Sequence, residues 1–82
     1  MNTNLKIRVK DRIGLVNEIT TMISDLGITI LKHDANVISS KGMEISSFNA
    51  KLYSEDYRSF ALLKRKCEKI KGLVSFSFSD FT

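Results

Sequence analysis

Proline is absent from the 82-residue chain. No Pro-rich linker or tail divides it, and nothing in it marks a second domain. Cysteine occurs once, at Cys67, so no internal disulfide can form, which fits a reducing compartment. Apolar runs are short. None approaches the ~20 residues that a membrane-spanning helix needs, so no membrane association is expected. The first residues, Met1-Asn2-Thr3-Asn4, lack the basic-then-apolar pattern of a secretory signal, and a cytoplasmic location is the expectation.

Catalytic chemistry is equally scarce. His33 is the only histidine. It falls on a predicted strand, and no serine or cysteine nucleophile is placed near it by sequence; as a strand residue it reads as an interface position. One histidine and one cysteine do not make a metal site, and there is no Cys-x-x-Cys. Neither Gly-x-x-x-x-Gly-Lys nor Gly-x-Gly-x-x-Gly occurs to hold a nucleotide phosphate. The carboxylates are scattered, with no pair arranged for acid–base work. The expectation is a chain without catalysis, cofactor or metal.

What is present is an ordinary globular composition. Apolar residues make up 43% and charged residues 27%, which excludes disorder, and a chain of this size buries one modest core. The net charge of +4 is mild, but the cations gather in two places. Lys6, Arg8, Lys10 and Arg12 lie near the start. Arg58, Lys64, Arg65, Lys66, Lys69 and Lys71 lie between Tyr57 and Lys71, opposed by Glu68 alone. Each group suits either a solvated surface or an anionic partner such as RNA.

The order of elements follows from periodicity. Leu5, Ile7 and Val9 alternate with basic residues and predict a half-buried strand. Leu15, Val16, Ile19, Met22, Ile23 and Leu26 form one stripe of an amphipathic helix that Gly27 closes. Residues 28–38 read as a long strand, in which the apolar phase slips near Ile30-Leu31, the mark of a bulge. Ser39-Ser40-Lys41-Gly42 is a turn. Met43 to Tyr53 is the returning strand, with Phe48, Ala50 and Leu52 on one face. Ser54-Glu55-Asp56 opens a second helix, along which Phe60, Leu63, Cys67 and Ile70 recur at helical spacing. Val74, Phe76 and Phe78 alternate with serines in a last strand. The order β-α-β-β-α-β predicts an α+β, ferredoxin-like sandwich: a four-stranded antiparallel sheet with two helices on one face. The first and third strands take the centre and the second and fourth the edges. The open face and the long edge are places where a second chain can pair.

The segment Asp11-Arg12-Ile13-Gly14-Leu15-Val16-Asn17-Glu18 joins the first strand to the first helix. Gly14 turns the chain into the helix and leaves space for a close approach by another backbone or a small ligand. Exposed N–H groups at the helix start can seat a carboxylate. The same glycine also has a purely structural use, as the corner itself. With Ile19-Thr20 and Ile23-Ser24, this segment resembles the ACT domain, a regulatory module with a βαββαβ fold. It is most similar to the C-terminal ACT domain of RelA/SpoT-type GTP pyrophosphokinases, the enzymes of the stringent response that make and degrade ppGpp. The resemblance covers about residues 5–78 of a single domain spanning 1–82.

The resemblance implies a non-catalytic regulatory domain that forms a homodimer and senses a small ligand, an amino acid, or mediates contacts within a longer enzyme. In ACT domains that bind amino acids, the ligand lies between the first strand–helix loop of one copy and the second strand of its neighbour. Carried over, the ligand-binding residues are Asp11, Arg12, Ile13, Gly14, Leu15 and Asn17. The partner-strand residues are Ile28, Ile30, Leu31 and His33. A stand-alone ACT regulator of amino-acid metabolism is one alternative. Another is contact with ribosomal RNA in the parent enzyme, through Lys64, Arg65, Lys66 and Lys69. Stacking of bases on the third strand is disfavoured, because Met43 and Ile45 stand where an RNA recognition motif carries aromatic rings.

Overall fold

The computed structural model describes residues 1–79, as six elements in the expected order. Strand β1 (Asn2–Lys10) alternates buried and open side chains, and Leu5, Ile7 and Val9 are almost wholly shielded. Helix α1 spans Leu15–Asp25 and buries Leu15, Ile19 and Ile23. Strands β2 (Thr29–Ser40) and β3 (Met43–Tyr53) form a long hairpin. Its two-residue loop is Lys41-Gly42, and both residues have positive φ, 53° and 78°. That is the twist a tight hairpin needs, and glycine adopts it without steric cost at the second position. Helix α2 (Tyr57–Glu68) starts at Asp56, whose carboxylate accepts the N–H of Arg58 at 2.9 Å. Strand β4 covers Leu73–Ser79.

The strands lie in the order β2-β3-β1-β4, all neighbours antiparallel. Central strands β1 and β3 supply Leu5, Ile7, Val9, Phe48, Ala50 and Leu52. Helix residues Ile19, Ile23, Leu63 and Cys67 pack on them in one buried cluster. Both helices therefore share one face, as the sequence predicts. The opposite face carries the other phase of each strand and is polar along its middle, where Lys6 pairs across to Asn49 and Ser77 and Arg8 to Ser47 and Ser75; Ile45 and Ile38 pair on the same face at the Lys10 end.

Two irregularities shape the edges. In β2 the register shifts between Ile30 and Lys32, so Leu31 is the extra residue of a bulge and is 54% exposed. The slip in apolar phase foretold it. In β4 the register shifts opposite Arg8 and Val9, so Leu73 rather than Val74 stands across from Val9. Val74 is consequently 51% exposed, whereas strict alternation grouped it with Phe76 and Phe78. Beyond the bulge, β2 runs out past the helices: Asp34 to Val37 are all exposed, including Ala35 and Val37 on the helix side of the sheet.

Candidate functional site

Lys10 donates its N–H to the Gly72 carbonyl and Asp11 donates to the Glu44 carbonyl. These two bonds pin the end of β1 beside the β2–β3 hairpin and the start of β4. The chain then turns through Asp11–Gly14 into α1. Gly14 sits at the helix N-cap with φ +80°, a conformation that any other L-residue adopts at a steric cost. No side chain caps this helix end. A Cβ placed on Gly14 would meet nothing within 4 Å, and the neighbouring Ile13 side chain is fully exposed. The corner is thus open on its outer side.

Arg12 does not point outward with Ile13. It folds over the first turn of α1 and grips Glu18 with both terminal nitrogens, at 2.9 and 2.7 Å. The hydrogen bond to Arg12 holds the Glu18 carboxyl below its usual range, and the same bond raises the guanidinium. The Arg12 Nε–H is buried without an acceptor. A planar guanidinium that sets both terminal nitrogens on one carboxylate leaves its Nε–H turned elsewhere.

The other residues named from the sequence divide. Leu15 is a core residue, held under α1. Asn17 is exposed, and its carbonyl accepts the Thr20 hydroxyl at 3.2 Å. Ile28 is buried in the chain's own core and Ile30 is half-buried. Leu31 and His33 are exposed, and the His33 ring stacks on Phe48 with centroids 5.6 Å apart. In the sheet, Thr29 lies at the same end as Asn2, while the Asp11 loop lies at the end where Lys10 pairs with Ile45. One copy therefore holds the glycine corner and the start of β2 at opposite ends of the sheet. Lys64, Arg65, Lys66 and Lys69 are all exposed on and just beyond α2. Of these, Lys66 and Lys69 join Arg12, Glu18 and Lys71 around one shallow cleft whose floor is Met22 and Ile70; Lys64 and Arg65 do not line it.

Glu18 was not a site candidate from sequence. Its partner lies six residues away across a loop, outside the three- and four-residue spacings by which helix pairs are recognised. The meeting of Arg12 with the end of α2 is a tertiary relationship that no spacing encodes. Cys67 lies in the core, where burial pushes its thiol up to about 11, so it is no nucleophile. Among the described residues no three His, Cys, Asp or Glu side chains gather where a metal could be held. Among the same residues no helix is long and apolar enough to cross a membrane.

No protein-family model matches this chain, and no curated protein matches it in sequence. Solved structures do. The four-stranded sheet, its strand order and its two helices are those of the ACT-domain fold. The ACT domain of GTP pyrophosphokinase from Chlorobium tepidum superposes with a TM-score of 0.72 at 20% identity, over 95% of this chain and 96% of that one. An ACT domain protein from Streptococcus pneumoniae gives 0.74 at 18% identity, over 96% and 88% of the two chains. A formyltetrahydrofolate deformylase from Pseudomonas putida gives 0.72 at 14% identity, over 98% of this chain but 29% of that one. At these identities the likeness is one of fold.

Proposed function

We propose that the chain is a non-catalytic regulatory domain of ACT type. It pairs with a second copy through the β2 edge and holds a small ligand, an amino acid, at the Asp11–Asn17 corner. The observation that carries this reading is the open glycine corner: Gly14 at φ +80° with free space beyond it, and Ile13 exposed beside it. The edge strand β2 supports it, since its outer N–H and C=O groups have no neighbouring strand and Leu31 and His33 are exposed along it. In such an assembly the ligand binds one arrangement of the dimer better than another and shifts its population. Asp11, Asn17 and backbone groups would orient the ligand, with Leu31 and His33 of the neighbouring copy closing over it.

The fold likeness to the ACT domain of a GTP pyrophosphokinase, together with the Asp-Arg-x-Gly-Leu loop, favours a parent enzyme of that kind in the cytoplasm. The decisive experiment combines sedimentation with calorimetry against the twenty amino acids. A dimer that binds one of them, and whose binding is abolished by Gly14→Asn while the fold survives, supports the reading. Asparagine tolerates positive φ, so it keeps the corner and fills the space. A monomer that binds none refutes it.

A second reading rests on the exposed Lys64, Arg65, Lys66 and Lys69 of the α2 region, none of which is ion-paired among the described residues. They would contact ribosomal RNA in the parent enzyme. Binding of a ribosomal RNA fragment that falls steeply with salt and disappears in the Lys64→Glu/Arg65→Glu/Lys66→Glu variant supports this reading. Binding unchanged by those substitutions refutes it.

A further inference from the structure

The cleft between the first turn of α1 and the end of α2 is more positive than the fold requires. Arg12, Lys66, Lys69 and Lys71 surround it with Glu18, and Asp25 stands with Glu18 and Lys66 around the adjoining hollow. The negative end of a helix dipole amounts to about half a charge, and one lysine would offset it. Three lysines stand there, none with an ion-pair partner among the described residues. Glu18 is already taken by Arg12, and the Arg12 Nε–H is buried with nothing to accept it. The resting arrangement therefore leaves three lysines without an ion-pair partner among the described residues around a single concavity, while the Arg12 Nε–H is buried beside it.

We propose that this cleft is a binding site for a small anion carrying two or more phosphoryl groups, and that Glu18 occupies Arg12 until that anion arrives. The three lysines act as point charges on the phosphoryl oxygens, and the half-buried Met22 and Ile70 form an apolar floor beneath them. Arg12 then exchanges one bidentate acceptor, the Glu18 carboxylate, for another of the same fork geometry. The site is concave and gathers its cations around one point, which suits a compact polyanion. An extended nucleic-acid strand would use Lys64 and Arg65 as well, and those two lie outside the cleft. Because Arg12 belongs to the same loop as Gly14, its release from Glu18 frees the glycine corner to move. The anion site and the corner are thereby linked, yet the anion site does not depend on an amino acid binding at the corner.

The test uses the whole 82-residue chain and inorganic triphosphate as the probe, followed by calorimetry and by amide chemical shifts in two-dimensional NMR. Sulfate at matched ionic strength corrects for screening. Saturable binding with shifts confined to Arg12–Met22 and Lys66–Lys71 is expected. Lys66→Gln/Lys69→Gln should weaken it by roughly tenfold or more, the loss of charge-assisted contacts. Lys64→Gln/Arg65→Gln removes the same charge outside the cleft and should change it by less than about threefold. Glu18→Gln should tighten binding, whereas Glu55→Gln, at the far end of the molecule, should not. Equal losses in the two double variants would show diffuse surface attraction and overturn the proposal. So would weaker binding in Glu18→Gln, or an RNA oligonucleotide that binds where triphosphate does not.

Discussion

The ring of His33 lies over Phe48, one strand away on the helix side of the sheet, with centroids 5.6 Å apart and planes inclined by 26°. Phe48 is almost completely shielded, and neither helix supplies all of that cover: an exposed edge-strand residue completes it. His33→Ala is expected to lower stability by about 1 kcal/mol, the usual worth of an aromatic pair. For a domain of this size that is a fall of about 4–8 °C in Tm, readable by circular dichroism. If His33 also meets the neighbouring copy, the dimer will dissociate at a higher protein concentration in the same variant.

The core is small and every member counts. Leu63 is fully buried between α2 and the sheet. Leu63→Ala is expected to cost about 2–5 kcal/mol. Total stability for such a domain is of the order of 5–15 kcal/mol. The variant should therefore show a large drop in urea midpoint and a partly unfolded population at 37 °C.

The Arg12–Glu18 pair makes an acid-sensitive contribution. The Glu18 pKa is lower in the folded chain than its unfolded value of about 4.3. Its contribution is therefore complete above that unfolded value and lost as the pH falls through the folded one. The urea midpoints of the wild type and Arg12→Gln should differ at pH 7 and converge as the pH falls through the folded pKa of Glu18. Both side chains are partly exposed, so added salt should also narrow the gap at pH 7.

Cys67 should resist modification. Its thiol is buried, and the burial pushes its pKa up to about 11. Reaction with a disulfide reagent at pH 8 should require opening of the fold. The rate should rise steeply in Leu63→Ala, whose side chain shares the buried cluster with Cys67.

Gly14 separates a backbone requirement from a space requirement. Gly14→Ala is expected to cost about 1–2 kcal/mol, because alanine must take a left-handed conformation. Gly14→Asn should cost less. Thermal melts of the two variants, compared with their dimer affinities, distinguish a corner that only turns the chain from one that also receives a partner.

Much of the fold was legible because two periods carry it. Leu5, Ile7 and Val9 repeat at two, and Leu15, Ile19 and Ile23 repeat at helical spacing. Both sets are buried as the periods demand. The phase slip at Leu31 was legible too, since a bulge must break alternation. Val74 was not, because the bulge that exposes it lies in β4 opposite Arg8 and Val9, and residue type within β4 gives no sign of it. The candidate site was legible in part. The glycine corner is a local conformation and local residues announce it. The hold of Arg12 on Glu18, and the arrival of Lys66, Lys69 and Lys71 beside them, depend on how two helices lie on a sheet.

The single additional residue at Leu31 divides one strand into two different materials. Up to Ile30 the strand is a structural member, and its side chains are dictated by what lies beneath them. From Asp34 onward little lies beneath it, and the backbone ladder to β3, with the Asp34–Asn49 and Ser39–Glu44 side-chain bonds, holds it straight. Substitutions there can accumulate at small cost to folding. A lineage carrying this architecture can thus vary the surface of the outer arm while the scaffold stays unchanged.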